Sequence, residues 1–474
     1  MTRFLATLGL IALATPALAS PAEDAATRAL ARDIFKELIE INTTESAGSV
    51  TRASEAMAAR CRAAGFADSD MAIVGDDPRK MNLVVRLKGT GKAKPILLIG
   101  HLDVVEARRE DWTTDPFKFT EKDGFYYGRG TQDMKDGDAI MVATLIRMKQ
   151  EGYRPPRDLI LALTADEETA GANGVEWLIR HRRDLIEAEY ALNHDGIGVT
   201  TKGGKAVGVY VGLTEKVYAD FELTIRNKGG HSSEPVADNA IYELAAALGR
   251  LAQYQFPYEL NDAVRLYYHR SLPAADRARA ALLRGALASP ADPQAIAGLN
   301  ADPNEYILTH TTCVATRLAA GHANNALPQT ATANVNCRIL PGHAPEAVRQ
   351  ELLRVFQEPK LEVRFFDDFG KLHDTAESKH GFAAPVVRPE LMRAVETVAA
   401  GLWPGTPVIP VMDPSASDAA MAAPYGIPVY AVSGDSQEAD DGRAHGQDER
   451  VGVAAFDRGV DFYYRFLKTL LGKR

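Results

Sequence analysis

Asn82-Leu83-Val84-Val85, Pro95-Ile96-Leu97-Leu98-Ile99-Gly100 and Asp158-Leu159-Ile160-Leu161-Ala162-Leu163 carry apolar, mostly branched side chains at consecutive positions. A strand with one wet face alternates polar and apolar residues, so runs of this kind need cover on both faces. Helical periodicity lies on either side of them. Leu30, Ile34, Leu38 and Ile41 recur at spacings of three and four in a region from about 24 to 65 that Gly65 closes, and residues 139–150 are also helix-like. The alternation predicts an α/β fold: a mixed, mainly parallel sheet with helices on both faces.

The middle of the chain follows a different rule. Tyr218 to Ile225 alternates polar and apolar residues, as do Thr332 to Ile339 and Leu361 to Phe366, which is the pattern of a sheet covered on one face only. Helix-like stretches at Ala240 to Gln253 and about 273–298 lie among them. We therefore expect a smaller inserted α+β domain at 214–377, with the larger domain built from 20–213 and 378–474.

Arg3, an apolar run from Phe4 to Ala14 and the small-residue end Ala17-Leu18-Ala19 read as a secretory signal, residues 1–19. The run is shorter than the ~20 residues a membrane span needs, so the expectation is a periplasmic or secreted protein with no stable membrane anchor after cleavage. Acidic residues outnumber basic ones by 63 to 54 and no long basic run occurs, which argues against nucleic acid as a partner. Cys61, Cys313 and Cys337 cannot all pair within one chain. Three buried free thiols are expected; if any two bridge, Cys313 and Cys337, in strand-like runs flanking one loop, are the pair.

Ligands in an open α/β sheet gather just beyond the carboxyl ends of the strands. His101 and Asp103 follow one apolar run, Glu167 and Glu168 follow another, and Asp195 follows Tyr190-Ala191-Leu192-Asn193-His194. Each alone has a plainer reading: a His-x-Asp pair can be a local hydrogen bond, and an acidic pair can start a helix. Their joint occurrence after successive strands is what points to a site.

Gly100-His101-Leu102-Asp103, Gly130-Thr131-Gln132-Asp133-Met134-Lys135, Asp166-Glu167-Glu168, Gly230-His231-Ser232-Ser233-Glu234-Pro235 and His445-Gly446-Gln447-Asp448-Glu449 occur in that order. As a set they resemble the dizinc hydrolases that include acetylornithine deacetylase, succinyl-diaminopimelate desuccinylase, aminoacylase and glutamate carboxypeptidase. The resemblance implies a catalytic domain with an inserted lid of dimerisation type; the sequence leaves open whether that lid pairs two copies as a homodimer, because the apolar face of Ala240 to Leu251 can equally pack inside one chain. The resemblance also implies two zinc ions, with manganese or cobalt compatible with the same donors. His101 and Asp195 would hold one ion, Glu168 and His445 the other, and Asp133 would bridge them. Asp103 would orient His101, Glu167 would act as general base toward a zinc-bridged hydroxide, and His231 would contact the oxyanion. Asn325, in an Asn-x-x-Pro turn, and Arg338 would bind substrate, the arginine through a carboxylate.

Three residues depart from the pattern. Asp136 stands where Gly is common, Asn336 where Asp is common, and Asp195 where many deacetylases have Glu. The last tilts the expectation toward small peptides, cleaved by a carboxypeptidase or dipeptidase. An N-acyl-amino-acid deacylase is the alternative, and an inactive binding protein of the same fold a third reading.

Overall fold

A computed structural model describes residues 21–169, 173–196, 198–368, 370–379, 381–382 and 386–472. The expected signal segment lies outside the described residues. No described helix is long and apolar enough to cross a membrane.

The apolar runs become the strands Asn82–Leu87, Ile96–His101 and Leu159–Thr164. Together with Tyr190–Asn193 and Val429–Ala431 they form the middle of a sheet that has ten strands among the described residues. Ile96–His101 is parallel to both Leu159–Thr164 and Tyr190–Asn193, and antiparallel strands flank this centre. The sheet is thus mixed, as the alternation predicts. Both faces are covered. Ile96 and Leu98 enter a core with Phe35, Ile140 and Leu467 from the helices Pro21–Glu40, Lys135–Gln150 and Val453–Leu471. Leu97 and Ile99 enter a second core with Leu178 and Ile179 from Gly174–His181. Each such side chain contributes roughly 1.5–3 kcal/mol on burial. Parallel pairing sets His101 level with Thr164, and Ile99 level with Asn193, so the functional loops leave one edge of the sheet.

The lid sheet is antiparallel, in the order Thr312–Ala320, Thr330–Ile339, Val217–Arg226, Glu362–Phe366, Leu372–His373. Phe221, Leu223, Val335 and Cys337 are buried on one face with Leu244 and Leu352 from the helices Ala240–Gln253 and Pro345–Phe356. The alternate residues, Tyr218, Asp220, Asn334, Asn336 and Arg338, line a cleft on the other face.

The interval 214–377 also holds helices that pack elsewhere. Val264, Tyr268, Leu283 and Leu299, from Asp262–Ser271, Arg277–Leu287 and Pro293–Asn300, join the large core of the catalytic sheet. An apolar helical stripe shows that a helix is covered, not which sheet covers it.

Cys313 and Cys337 form a disulfide, which corrects the expectation of three free thiols; Cys61 alone stays free and buried. The two cysteines face each other across adjacent antiparallel strands with their Cα atoms 4.1 Å apart. Strand register, which sequence spacing does not display, decides the pairing.

Candidate metal centre and active site

Asp133 lies at the centre of the site, in the loop that enters the helix Lys135–Gln150. Its two oxygens turn to different imidazoles: Oδ1 is 3.1 Å from His101 Nε2, and Oδ2 is 3.0 Å from His445 Nε2. His445 Nε2 is also 3.0 Å from the Glu168 carboxylate. Asp133, Glu168 and His445 can each offer one ligand atom within 4.8 Å of the others. Asp195, in the loop after Tyr190–Asn193, is within electrostatic reach of Asp133 and His101.

The charges explain what such a cluster requires. Burial raises Glu168 and Asp195 to about 7, and the nearby Asp133 carboxylate is the next cause in both. Burial also works to raise Asp133, but its contacts with the two imidazoles outweigh it and hold the carboxylate below its usual range. His445 is pushed up to about 9, chiefly by its hydrogen bond with Asp133. Crowded, desolvated carboxylates with imidazoles and no thiolate suit a divalent cation, and a carboxylate whose oxygens face opposite partners can bridge two.

Asp103 works differently from the sequence expectation. Its backbone carbonyl, not its carboxylate, lies 3.1 Å from His101 Nδ1, whereas the nearest carboxylate oxygen is 3.8 Å away. The carboxylate instead accepts the backbone N–H groups of Glu167 at 3.2 Å and Glu168 at 3.0 Å. It therefore fixes the turn that carries both acids. Asp166, just before them, has φ 59°, and Lys80 Nζ donates to its carboxylate at 2.8 Å. Aspartate is among the few non-glycine side chains that tolerate this left-handed region, and the Lys80 contact helps hold the turn.

Glu449 is a support that the sequence reading quoted only as part of a motif. Its buried carboxylate pairs with buried Arg129 and accepts N–H groups from Gly130, Gln132 and Asp133 at 3.2, 2.7 and 3.2 Å. Asp418, missed altogether, is buried between Thr164 and Asn173, and accepts from both.

Glu167 lines a cleft of about 830 Å³ together with Asn173, Tyr218, Arg338, Lys379 and Met421. Burial raises its carboxyl well above the usual range, with Asp418 and Asp195 adding to the effect and His101 opposing it. Arg338 thus shares a cavity with Glu167 although it belongs to the lid. His231 and Asn325 do not join them. They lie together on the exposed part of the lid, where Gly230–His231 pairs with Ala326–Leu327, and His231 Nδ1 lies 2.7 Å from Ser233 Oγ. Asp136 is buried beside Asp435 and raised well above the usual range, first by burial.

A half-buried acid beside a cluster whose donors suit a metal ion, at the carboxyl edge of an α/β sheet, is the arrangement that a metal-dependent hydrolase of amide bonds requires. The sequence comparisons agree with that class. A family model matches residues 97–469, and the chain belongs to peptidase family M20/M25/M40. It is 27% identical over 388 residues to the N-fatty-acyl-amino acid synthase/hydrolase PM20D1 of Xenopus tropicalis, covering 79% of this chain and 72% of that one. It is 25% identical over 446 residues to mouse (Mus musculus) aminoacylase-1, covering 92% and 94%. The M20 family metallo-carboxypeptidase Sso-CP2 from Sulfolobus solfataricus has the same fold, with a TM-score of 0.67 at 16% identity over 93% of this chain and 99% of that one.

Proposed function

We propose that the chain cleaves small peptides at an amide bond next to a free α-carboxylate, as a carboxypeptidase or dipeptidase. His101 and Asp195 would hold one zinc ion, Glu168 and His445 the other, and Asp133 both. The observation that carries the substrate assignment is Arg338. Its guanidinium has no ion-pair partner among the described residues, lies over the Tyr218 ring and lines the same cleft as Glu167. A planar fork of donors with no ion pair among the described residues, in the cleft that Glu167 also lines, suits a carboxylate, which it can grip through two oxygens.

When bound, the two ions polarise the scissile carbonyl and acidify the attacking water. Glu167, which lines the cleft directly before the ligand Glu168, would take the proton from the attacking water and deliver it to the leaving nitrogen. Asp103 holds the Glu167 backbone during both. Arg338 anchors the substrate's carboxylate and so fixes which amide reaches Glu167.

A second reading, hydrolysis of N-acyl-amino acids, is favoured by the sequence relatives named above and uses the same residues. The partner proposed for the lid is a second copy of the chain. Thr312–Ala320 is an edge strand exposing Val314 and Leu318, and the neighbouring helix exposes Ile241 and Tyr242. Exposed His231 and Asn325 would then serve the cleft of the other copy. Export to a periplasmic or extracellular compartment is proposed from residues 1–19, and the Cys313–Cys337 disulfide suits such a compartment.

The test is a panel of dipeptides and N-acyl-amino acids with their carboxamide counterparts, assayed on zinc-loaded protein and on Arg338→Ala. Free carboxylates should be cleaved about tenfold or more better than carboxamides, a preference that Arg338→Ala should remove. Equal rates on both forms in the parent protein would overturn the clamp. Cleavage of acyl-amino acids alone would move the assignment to the second reading, and neither zinc uptake nor hydrolysis would leave a binding protein.

A further inference from the structure

We propose that Tyr218, Asp220 and Asn336 are positioning residues that keep Arg338 aimed along the cleft and free of an internal counter-ion. The inference rests on the carboxylate-clamp reading above. In the lid sheet Tyr218 is directly opposite Arg338, and Asp220 is directly opposite Asn336. A long cation reaches the diagonal neighbour on the adjacent strand, so Asp220 is the natural ion-pair partner of Arg338. The structure gives Asp220 to other donors instead. Its Oδ1 accepts from Asn334 Nδ2 at 2.9 Å and Asn336 Nδ2 at 3.0 Å, and its Oδ2 accepts from the Tyr218 hydroxyl.

Other acids near the cleft are committed in the same way. Glu176 pairs with Arg180, Asp368 with Lys379 and Glu222 with Arg364. Arg338 is held by the Tyr218 ring, its Cζ 4.7 Å from the ring centre. A ring face restrains a guanidinium without neutralising it and leaves the N–H fork for a ligand. Tyr218 therefore does two jobs. Its ring seats the arginine, and its hydroxyl helps satisfy the carboxylate that would otherwise compete for it.

Asn336 is the decisive residue type. Aspartate at this position would place a second carboxylate against Asp220 and give Arg338 an anion two residues away on its own strand face. The amide removes both effects, and its donor goes to Asp220.

The experiment measures KM and kcat for the best free-carboxylate substrate of the panel and for its carboxamide, using Asn336→Asp, Tyr218→Phe, Tyr218→Leu and Arg338→Ala. Asn336→Asp and Tyr218→Leu should raise KM for the carboxylate about tenfold while kcat stays within about twofold and the carboxamide is unaffected. Tyr218→Phe, which keeps the ring, should restore most of the loss seen in Tyr218→Leu. If Arg338→Ala loses the carboxylate preference but Asn336→Asp and Tyr218→Leu do not raise KM, the positioning role is overturned and the clamp stands. If Arg338→Ala changes both substrates alike, or no panel member is cleaved, clamp and positioning fall together. Should thermal melting show that Tyr218→Leu does not fold, Asn336→Asp decides the matter alone.

Discussion

Replacing Glu449 with alanine should damage the centre without removing a single group that faces the cleft. The carboxylate has 0% of its side chain exposed, and its partner Arg129 has 3%. Losing one member of a buried ion pair costs about 3–5 kcal/mol, because the remaining charge has neither solvent nor counter-ion. Arg129 keeps carbonyl contacts at 3.1–3.5 Å with Glu106, His445 and Gly446, which soften that loss. Against this, the N–H groups of Gly130, Gln132 and Asp133 lose their acceptor, and a stranded buried donor costs about 1–3 kcal/mol unless water enters. These opposing corrections leave an expected destabilisation of about 3–5 kcal/mol, read from urea unfolding of the zinc-loaded protein. Because the same carboxylate sets the backbone of Asp133, zinc affinity in a competition titration should fall about 10–100-fold. Glu449→Gln keeps one acceptor oxygen and should lose roughly half as much stability. A loss under about 1 kcal/mol with unchanged zinc affinity would refute the reasoning from buried charge.

Glu167→Gln should retain zinc, measured by elemental analysis, while kcat falls by a factor of about 10² or more; a near-parental kcat would take the proton transfer away from this residue. The metal-free protein should grow less stable as pH rises from about 4 to 7. Glu168 and Asp195 are raised to about 7 when folded, so across that window the folded state binds more protons than the unfolded one. Zinc should reduce the slope by the share of these two ligands, leaving that of buried acids outside the ligand set such as Glu215, which is raised to about 8; melting temperatures recorded with and without chelator at several pH values check the sign. The same two groups predict that zinc affinity weakens as pH falls below about 7, since protons then compete for the ligands.

Much of this arrangement is legible in the chain because strand order and strand ends follow from unbroken apolar runs. Leu97 and Ile99 could not be apolar on a wet face, so a two-sided sheet follows, and with it the gathering of His101, Glu168 and Asp195 on one edge. What sequence leaves hidden depends on register and on backbone atoms. Asp103 looks like a partner for the His101 ring, yet the backbone N–H groups of Glu167 and Glu168 claim its carboxylate, and nothing in a residue pattern displays a backbone donor. Asp418 arrives from a remote loop with no motif around it. The helices between 262 and 300 carry ordinary apolar stripes, and only packing shows that they cover the larger sheet. The Asn336 contact with Asp220 likewise needs the pairing of two strands more than a hundred residues apart.

The Cys313–Cys337 bond has a consequence beyond joining two strands. Cys337 points into the lid's core, and Arg338, the next residue, necessarily points out of it. Slippage of that strand by one position would turn the arginine inward and present an apolar side chain to the cleft. The covalent link acts as a phase lock between the edge strand and its inner neighbour, and reducing it should blur the carboxylate preference proposed for Arg338 before it unfolds the protein.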